Sequence, residues 1–589
     1  MLPVKVSYEA GKVVLFATYQ QKDRCKSVLS GTWSSRKKCW LFSEEALFWI
    51  DAMFFDVEID YDEYCSQALI EQRHRYEMMF DIKNGYYDDK FGDPVLMLHQ
   101  WKCTMIAALF NKFPFYMDTG TGKTLTALAI MDQQKDATYM VVCPKAIIKS
   151  AWLEDQDKFY PNMALLPLSK NMKAKDYLAL LETWIERKVA PKPQRMYKMS
   201  RAKLLAHMML YADHYVINPQ MFKRLEFEDG VPINWGTKDG TDLEVSLPCG
   251  TNGIIFDESA ILKNAQSDIS KCMYKVSQHM KYVYLLSGKP APNNEMEYFS
   301  QMRVVDDTLF GKSYYKFREF FFEQHGWLPA HMQAYRPWRL CEEKSDAFFG
   351  RLSHKTYFIR KEDCLDLPAK TYDKRIFELS PAARKQYELF EKQQLLILED
   401  EVIAAAIKVS ALMKLRQMSS GFVYSSEHEG KVIPIHMDKI KALAELLDEL
   451  GEVQLIIWVQ FKPEIAMIEE LLLKRKATYV TAYSKTKDVD ESISQFKNRK
   501  VQYIIAHPRT LQYGATFTNC TYALYYSMSH SYEEYYQSHD RIYRKGQTKP
   551  CTYLFLVADD TIDSTVRQAV TNKDTNATMI ENILRERRK

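Results

Sequence analysis

No stretch of this 589-residue chain offers eighteen consecutive apolar residues, so no transmembrane helix is expected. The opening MLPVKVSYEAGKVVLF lacks the basic-then-apolar layout of a secretory signal. The eleven cysteines are scattered from Cys25 to Cys551 with no two within four residues of each other, which excludes a zinc knuckle, a zinc ribbon and a redox CxxC pair. Reduced thiols in a cytoplasmic protein, away from any membrane, are the simple expectation. Internal repeats and low-complexity tracts are also missing. Nor does one sign of charge dominate: 80 basic side chains face 76 acidic ones, for a formal net charge of +4. That balance neither supports nor excludes nucleic acid. A motor that must release its track every cycle needs local basic stripes rather than a large global charge.

What is present is ordinary globular composition, 47% hydrophobic and 26% charged, in a chain long enough for two to four domains. Residues 1–85 read as a small α+β accessory unit. Val13 to Tyr19 and Lys38 to Phe42 have strand character, a turn surrounds Ser30-Gly31, and Ser43 caps a helix through Ile50. The polar, turn-rich Asp81 to Pro94 resembles a linker. From 86 to 305, short apolar strands (Tyr139–Val142, Ile254–Phe256, Tyr282–Leu286) alternate with amphipathic helices, the pattern of a parallel α/β sheet. A second α/β set spans 426–571, with strands near Leu455–Trp458, Tyr503–Ile505 and Thr552–Val557. Residues 306–425 between them read as a helical insertion, and 572–589 as a basic, solvated tail.

The sharpest local signal is Asp118-Thr119-Gly120-Thr121-Gly122-Lys123-Thr124 ahead of a good helix. Glycines let successive backbone N–H groups point at phosphate oxygens, and the helix N-terminus adds a favourable dipole. Lys123 would neutralise the β and γ phosphates, and the Thr124 hydroxyl would hold Mg²⁺. Met117 stands where the full pattern wants a first glycine. The second signal is an apolar strand ending in Asp257-Glu258: one carboxylate for the Mg²⁺ shell, the next to polarise an attacking water. Taken alone, each has a plainer reading, a GTGKT in an ordinary loop and an acidic helix cap. Together they point to ATP.

On these and further motifs the chain resembles the Swi/Snf family of superfamily-two helicases, from about 95 to 566. Leu98-His99-Gln100 sits where that family places its adenine-reading glutamine. Val142-Cys143-Pro144-Lys145 with Trp152 resembles a motif whose loop touches the DNA backbone. Asp257 to Asn264 (DESAILKN) resembles the acidic box, and Leu286-Ser287-Gly288-Lys289-Pro290 the segment coupling ATP and DNA sites. Tyr357 to Pro368, Leu415-Arg416-Gln417 and Trp458 to Phe461 follow in family order, and Gln537 to Gln547 (QSHDRIYRKGQ) resembles the final motif with Arg541 and Arg544 in place. Three departures stand out. Ala260 replaces a histidine, Lys289 replaces a small polar residue, and His507 to Phe517 keeps only Gly514 of a Gly-rich motif.

The resemblance implies two RecA-like lobes with ATP and Mg²⁺ between them. Gln100, the 118–124 loop and Gly514 would contact ATP, with Thr124 and Asp257 at the metal. Glu258 would act as catalytic base and Arg541 and Arg544, three residues apart on one helix face after Ser531, as arginine fingers. Lys145, Trp152, Ser287, Gly288 and Gln537 would couple to or touch DNA. Residues 1–85 resemble the accessory domain of the annealing-helicase, HepA-related branch, in which Trp33 and Trp40 beside Arg36, Lys37 and Lys38 would stack bases; the plainer alternative, that they form the small domain's core, fits Trp40 better than Trp33. The expected activity is ATP-driven translocation by a monomeric motor on duplex or forked DNA without sequence preference, in a bacterial or phage protein. A strand-separating helicase and a non-catalytic, ATP-gated DNA-binding scaffold are the rivals, and intact Lys123, Asp257, Glu258, Arg541 and Arg544 argue against the scaffold.

Overall fold

The computed structural model describes residues 4–572, apart from 171, 228–229, 231, 239–240, 326–337, 400–404, 426–430 and 512–514. Gly514 and the tail from 573 onward therefore lie outside the described residues. The chain divides into two compact units at Cys364/Leu365.

The first unit is built on a seven-stranded sheet in the order Tyr357–Ile359, Lys112–Met117, Tyr282–Ser287, Thr251–Asp257, Thr138–Val142, His214–Ile217, Leu165–Leu168. Every neighbouring pair is parallel. Helices cover both faces of such a sheet, so its central strands are apolar throughout, and Tyr282–Ser287 is buried at all six positions. The second unit carries a six-stranded sheet, also all parallel, in the order Lys370–Phe377, Cys551–Ala558, Tyr522–Tyr525, Leu455–Trp458, Tyr503–Ala506, Tyr479–Ala482. These are two RecA-like lobes.

The expected helical insertion at 306–425 is more than that. Besides its helices it holds Tyr357–Ile359, an edge strand of the first sheet, and Lys370–Phe377, an edge strand of the second. The second of these has no apolar run because its side chains alternate between exposed and half-buried, as an edge strand allows.

The N-terminal residues form a five-stranded sheet, Thr32–Ser34, Cys39–Phe42, Lys12–Phe16, Val4–Glu9, Ile59–Tyr61. Its pairs are antiparallel except for the last, which is parallel. The Glu63–Asn84 helix follows, capped by Asp62, whose carboxylate accepts Cys65 N–H at 2.7 Å, and closed by Gly85 at φ +90°.

This unit is not a separable appendage on a linker. Val6, Leu15, Leu47 and Phe54 belong to the same hydrophobic cluster as Val142, Phe256 and Leu285 of the first lobe. Polar groups fasten the joint. Arg351, buried on the Glu342–Lys355 helix, donates to Leu309 O and to Ser27 O, both at 2.8 Å. Lys83 Nζ donates to Ser353 O at 3.1 Å and Thr356 O at 2.8 Å. The ring of His354 sits among Phe48, Trp49, Tyr76 and Phe80, with centroids 5.1–5.8 Å away. Within the expected linker, Asp88 pairs with Lys102, beyond it, at 2.7 Å. Composition suggested a loose tether because turns are polar, but these turns are anchored at both ends.

Deletion of residues 1–85 should therefore uncover apolar surface of the first lobe and give a protein that melts well below the full chain or aggregates. Arg351→Met should cost about 1–3 kcal/mol, because two carbonyls, one of them buried, lose their donor. A truncated protein with an unchanged melting temperature would show that the N-terminal unit is detachable after all.

Candidate functional site

Three strands of the first sheet end side by side, which decides where the chemistry collects. In register, Ser287 faces Tyr116 and Leu286 faces Asp257. The loop after Met117, the acidic pair after Phe256 and the Ser287-Gly288 segment therefore emerge at the same carboxyl edge of the sheet, the position at which open parallel α/β sheets bind ligands.

The loop from Asp118 to Gly122 has the curl its sequence implies. Gly120 and Gly122 take φ +84° and +85°, and Gly122 leads directly into the Lys123–Gln133 helix. Thr121 Oγ1 donates to Asp118 O at 2.7 Å. Asp118 is buried and tied to the neighbouring edge strand: its N–H donates to Ile359 O at 2.9 Å, and its Oδ2 accepts Lys361 N–H at 3.2 Å. Lys123 Nζ lies 3.7 Å from Glu258 Oε1 and Lys289 Nζ 3.7 Å from Asp118 Oδ1, so two cations stand at the loop. Lys289, a departure in the sequence, thus has a partner within the loop itself. Thr124 is the second residue of the helix, half-buried.

Asp257 is buried, and each oxygen receives one hydrogen bond: Oδ1 from Glu258 N–H at 3.0 Å and Oδ2 from Trp152 Nε1–H at 3.1 Å. Burial, and then the neighbouring Glu258 charge, pushes its carboxyl above the ordinary aspartate range, while Lys123 and Trp152 pull the other way. Glu258 stands at φ +56°, a left-handed backbone that non-glycine residues adopt rarely.

These residues fit a magnesium nucleotide. The hydroxyls of Thr119 and Ser287 are buried with no hydrogen-bond partner among the described residues. Among the described residues no group of three or more His, Cys, Asp or Glu could hold a metal by itself. The donor set is instead that of a cation shared with phosphates: one carboxylate, Asp257, and one helix-start hydroxyl, Thr124.

Several expected roles shift. Gln100 is buried with both ends of its amide on the chain: Oε1 accepts Met97 N–H at 2.8 Å, and Nε2 donates to Thr121 O at 3.2 Å and Gly122 O at 3.3 Å. It clamps the phosphate loop, together with His99, whose Nε2 lies 2.8 Å from Thr121 O. A Cβ at position 122 would displace the Gln100 amide, and φ +85° itself favours glycine there. Trp152, expected at DNA, is fully buried beside Asp257, whereas Lys145 on the preceding loop is exposed. Gly288 is buried next to Ser287. Gln301 was not legible at all. It accepts from Ser259 Oγ at 2.8 Å and donates to Pro290 O at 2.7 Å, bridging the acidic box to the coupling segment beside the alanine that replaces the box histidine.

In the second lobe the helix that was to carry both arginines, Tyr532–His539, ends before them, and they lie in the following turn. Arg541 is buried, with Nε on Gln537 O and Nη1 on Ala515 O, both at 2.8 Å, and its own carbonyl accepts Phe517 N–H at 2.7 Å. It fastens the 515–517 loop to the final motif and is no free finger. Arg544 is half-buried and donates to Thr516 Oγ1 at 2.8 Å. Gln537, expected on DNA, is buried. In the N-terminal unit Trp33 is 52% exposed on an edge strand, its ring edge-on to Trp40 at 5.6 Å, while Trp40 is half-buried against Phe42.

Against known families, residues 115–420 match the SNF2-related domain, 306 of 589 residues, and residues 438–546 match the helicase conserved C-terminal domain. The chain belongs to the SNF2-related family. With both domains present it is an ATP-hydrolysing, DNA-dependent enzyme of helicase superfamily two. Putative protein p41 of Acyrthosiphon pisum secondary endosymbiont phage 1 is 26% identical over 344 residues, 55% of this chain and 70% of that one. The SWI/SNF-related matrix-associated actin-dependent regulator of chromatin subfamily A-like protein 1 of Drosophila melanogaster is 22% identical over 503 residues, 82% of this chain and 56% of that one. The chain thus spans only about half the length of the second relative. The Sulfolobus solfataricus SWI2/SNF2 ATPase core in complex with dsDNA covers 82% of this chain and 94% of its own at 19% identity, with a TM-score of 0.33.

Lys123→Ala should abolish ATP turnover while the protein still folds cooperatively, since it removes a charge at the start of the helix and little core volume. Glu258→Gln should bind ATP and fail to hydrolyse it, and normal turnover in this variant would place the base elsewhere. In the second lobe, Arg541→Ala should destabilise the fold by about 2–4 kcal/mol, as buried carbonyls are orphaned, and Arg544→Ala should not. Equal melting of the two variants would contradict the buried role of Arg541.

Proposed function

We propose that this SNF2-family enzyme is a translocase that uses ATP to track along duplex or forked DNA and remodel it, and that it belongs to the HepA-related branch. One observation carries the reading. Lys123, Asp257, Glu258 and the Ser287-Gly288 segment gather at one sheet edge, in a chain that also has the family's second domain. The phage relative supports a phage or bacterial setting, and the Drosophila relative supports the branch, because the match to it extends over most of this chain.

In the proposed chemistry the N–H groups of Gly120 and Gly122 and the Lys123 ammonium hold the phosphate chain. A phosphate that accepts from Lys123 competes with Glu258 for it, which leaves the Glu258 carboxylate to take a proton from water. Asp257 and Thr124 would hold Mg²⁺, which supplies charge neutralisation on the phosphate oxygens. Lys145, exposed, would meet a DNA phosphate, a contact that carries no sequence information. Trp33, open on its edge strand, would stack an unpaired base at a fork.

A triplex-displacement assay beside a forked-duplex unwinding assay tests the reading. ATP should drive displacement of a third strand, with little separation of a plain duplex. Efficient unwinding without triplex displacement would favour a strand-separating helicase. Trp33→Ala should lower the preference for forks over plain duplex severalfold at unchanged melting temperature. An unchanged preference would remove the N-terminal unit from DNA recognition.

A further inference from the structure

Between the Thr138–Val142 strand and the Glu154–Phe159 helix the chain makes a π-helical turn, Ile148–Leu153, in which Glu154 N–H reaches back to Lys149 O. A turn of this kind takes in one more residue than an α-helical turn and re-aims the side chains around it, which is why such turns recur at functional sites. Here it leaves Lys149 and Ser150 in solvent and drives Trp152 wholly into the protein, where the indole N–H ends on Asp257 Oδ2. Trp152 is among the largest fully buried side chains of the molecule, so its ring cannot swing. An indole N–H can only donate, so this contact permits one orientation of the carboxylate. The other oxygen is held by Glu258 N–H, and the carboxylate is thereby fixed in rotation with lone pairs remaining on both oxygens.

We propose that Trp152 is a positioning residue for the metal step: it holds the Asp257 carboxylate in the orientation that receives a divalent cation together with the nucleotide. The proposal rests on the reading of the 118–124 loop and Asp257 as a magnesium-nucleotide site. Partners of this kind, one bond removed from a metal, typically set metal affinity by 10- to 100-fold.

The test is equilibrium binding of a fluorescent ADP to the full-length protein, with EDTA and with saturating Mg²⁺, for the wild type and for D257N, W152F and W152H. The quantity read is the increase in affinity that Mg²⁺ confers. W152F should bind metal-free ADP within two-fold of the wild type and lose about ten-fold of the Mg²⁺ increment. W152H, which keeps a ring N–H, should recover part of it. A full increment in W152F, or equal losses in W152F and W152H, overturns the proposal. If D257N also keeps the full increment, the magnesium site itself is misassigned, which is a distinct failure. Should W152F not melt cooperatively, wild-type protein labelled at the indole nitrogen decides. Adding Mg²⁺ to the ADP complex should shift the Trp152 resonance, identified by its absence in W152H, and an unmoved resonance overturns the proposal.

Discussion

The parallel register of three strands, Lys112–Met117, Tyr282–Ser287 and Thr251–Asp257, is the constraint on which the site depends. Because their carboxyl ends lie level, a phosphate loop at 118–124, a buried carboxylate at 257 and a coupling segment at 287–288 come to one edge. Everything nearby then acts to hold that edge still. Gln100 and His99 grip the loop from the helix before it, Ile359 on the edge strand and Lys361 just after it grip Asp118, and Gln301 spans Ser259 and Pro290. A cradle that must present N–H groups to phosphate gains from such preorganisation, since little reordering is then left to the moment of reaction.

The edge strand also connects the site to the N-terminal unit. The Glu342–Lys355 helix, which carries Arg351 and His354 against that unit, runs straight into Tyr357–Ile359, whose last carbonyl accepts Asp118 N–H. Gly311, at φ +76°, lies so close to Leu29 that an added Cβ would stand 2.6 Å from its carbonyl oxygen. The N-terminal sheet and the first lobe therefore share one core, and the exposed Trp33 stands on a rigid extension of the motor rather than on a tether.

Much of this was legible in the sequence where chemistry demands particular residues at particular spacings. The 118–124 loop and Asp257-Glu258 read directly, because few other patterns place glycines, a lysine and paired carboxylates at strand ends. Buried strands such as Leu455–Trp458 read from their apolar runs. Lys370–Phe377 did not, since an edge strand alternates polar residues, and the turn-rich 81–94 looked like a tether because composition cannot show a buried Lys83 or the Asp88–Lys102 pair. Side-chain direction was the other blind spot. Trp152, Gln537 and Arg541 sit in motifs associated with DNA or phosphate, yet all three point inward, Trp152 because of a π-helical turn and Arg541 because its helix ends at His539. Nothing in residue spacing announces either feature, and Gln301, one polar residue on a buried helix, carries no motif.

The central claim is that this sheet edge hydrolyses ATP in response to DNA. It is tested most directly by steady-state ATP turnover of the full-length protein titrated with duplex, forked and single-stranded DNA and with single-stranded RNA, at two salt concentrations. The account predicts low turnover alone, a severalfold or greater rise with duplex or forked DNA at least matching that with single strands, and an apparent DNA affinity that falls steeply with salt as phosphate contacts release counterions. Turnover indifferent to DNA, or stimulated by RNA alone, would contradict it.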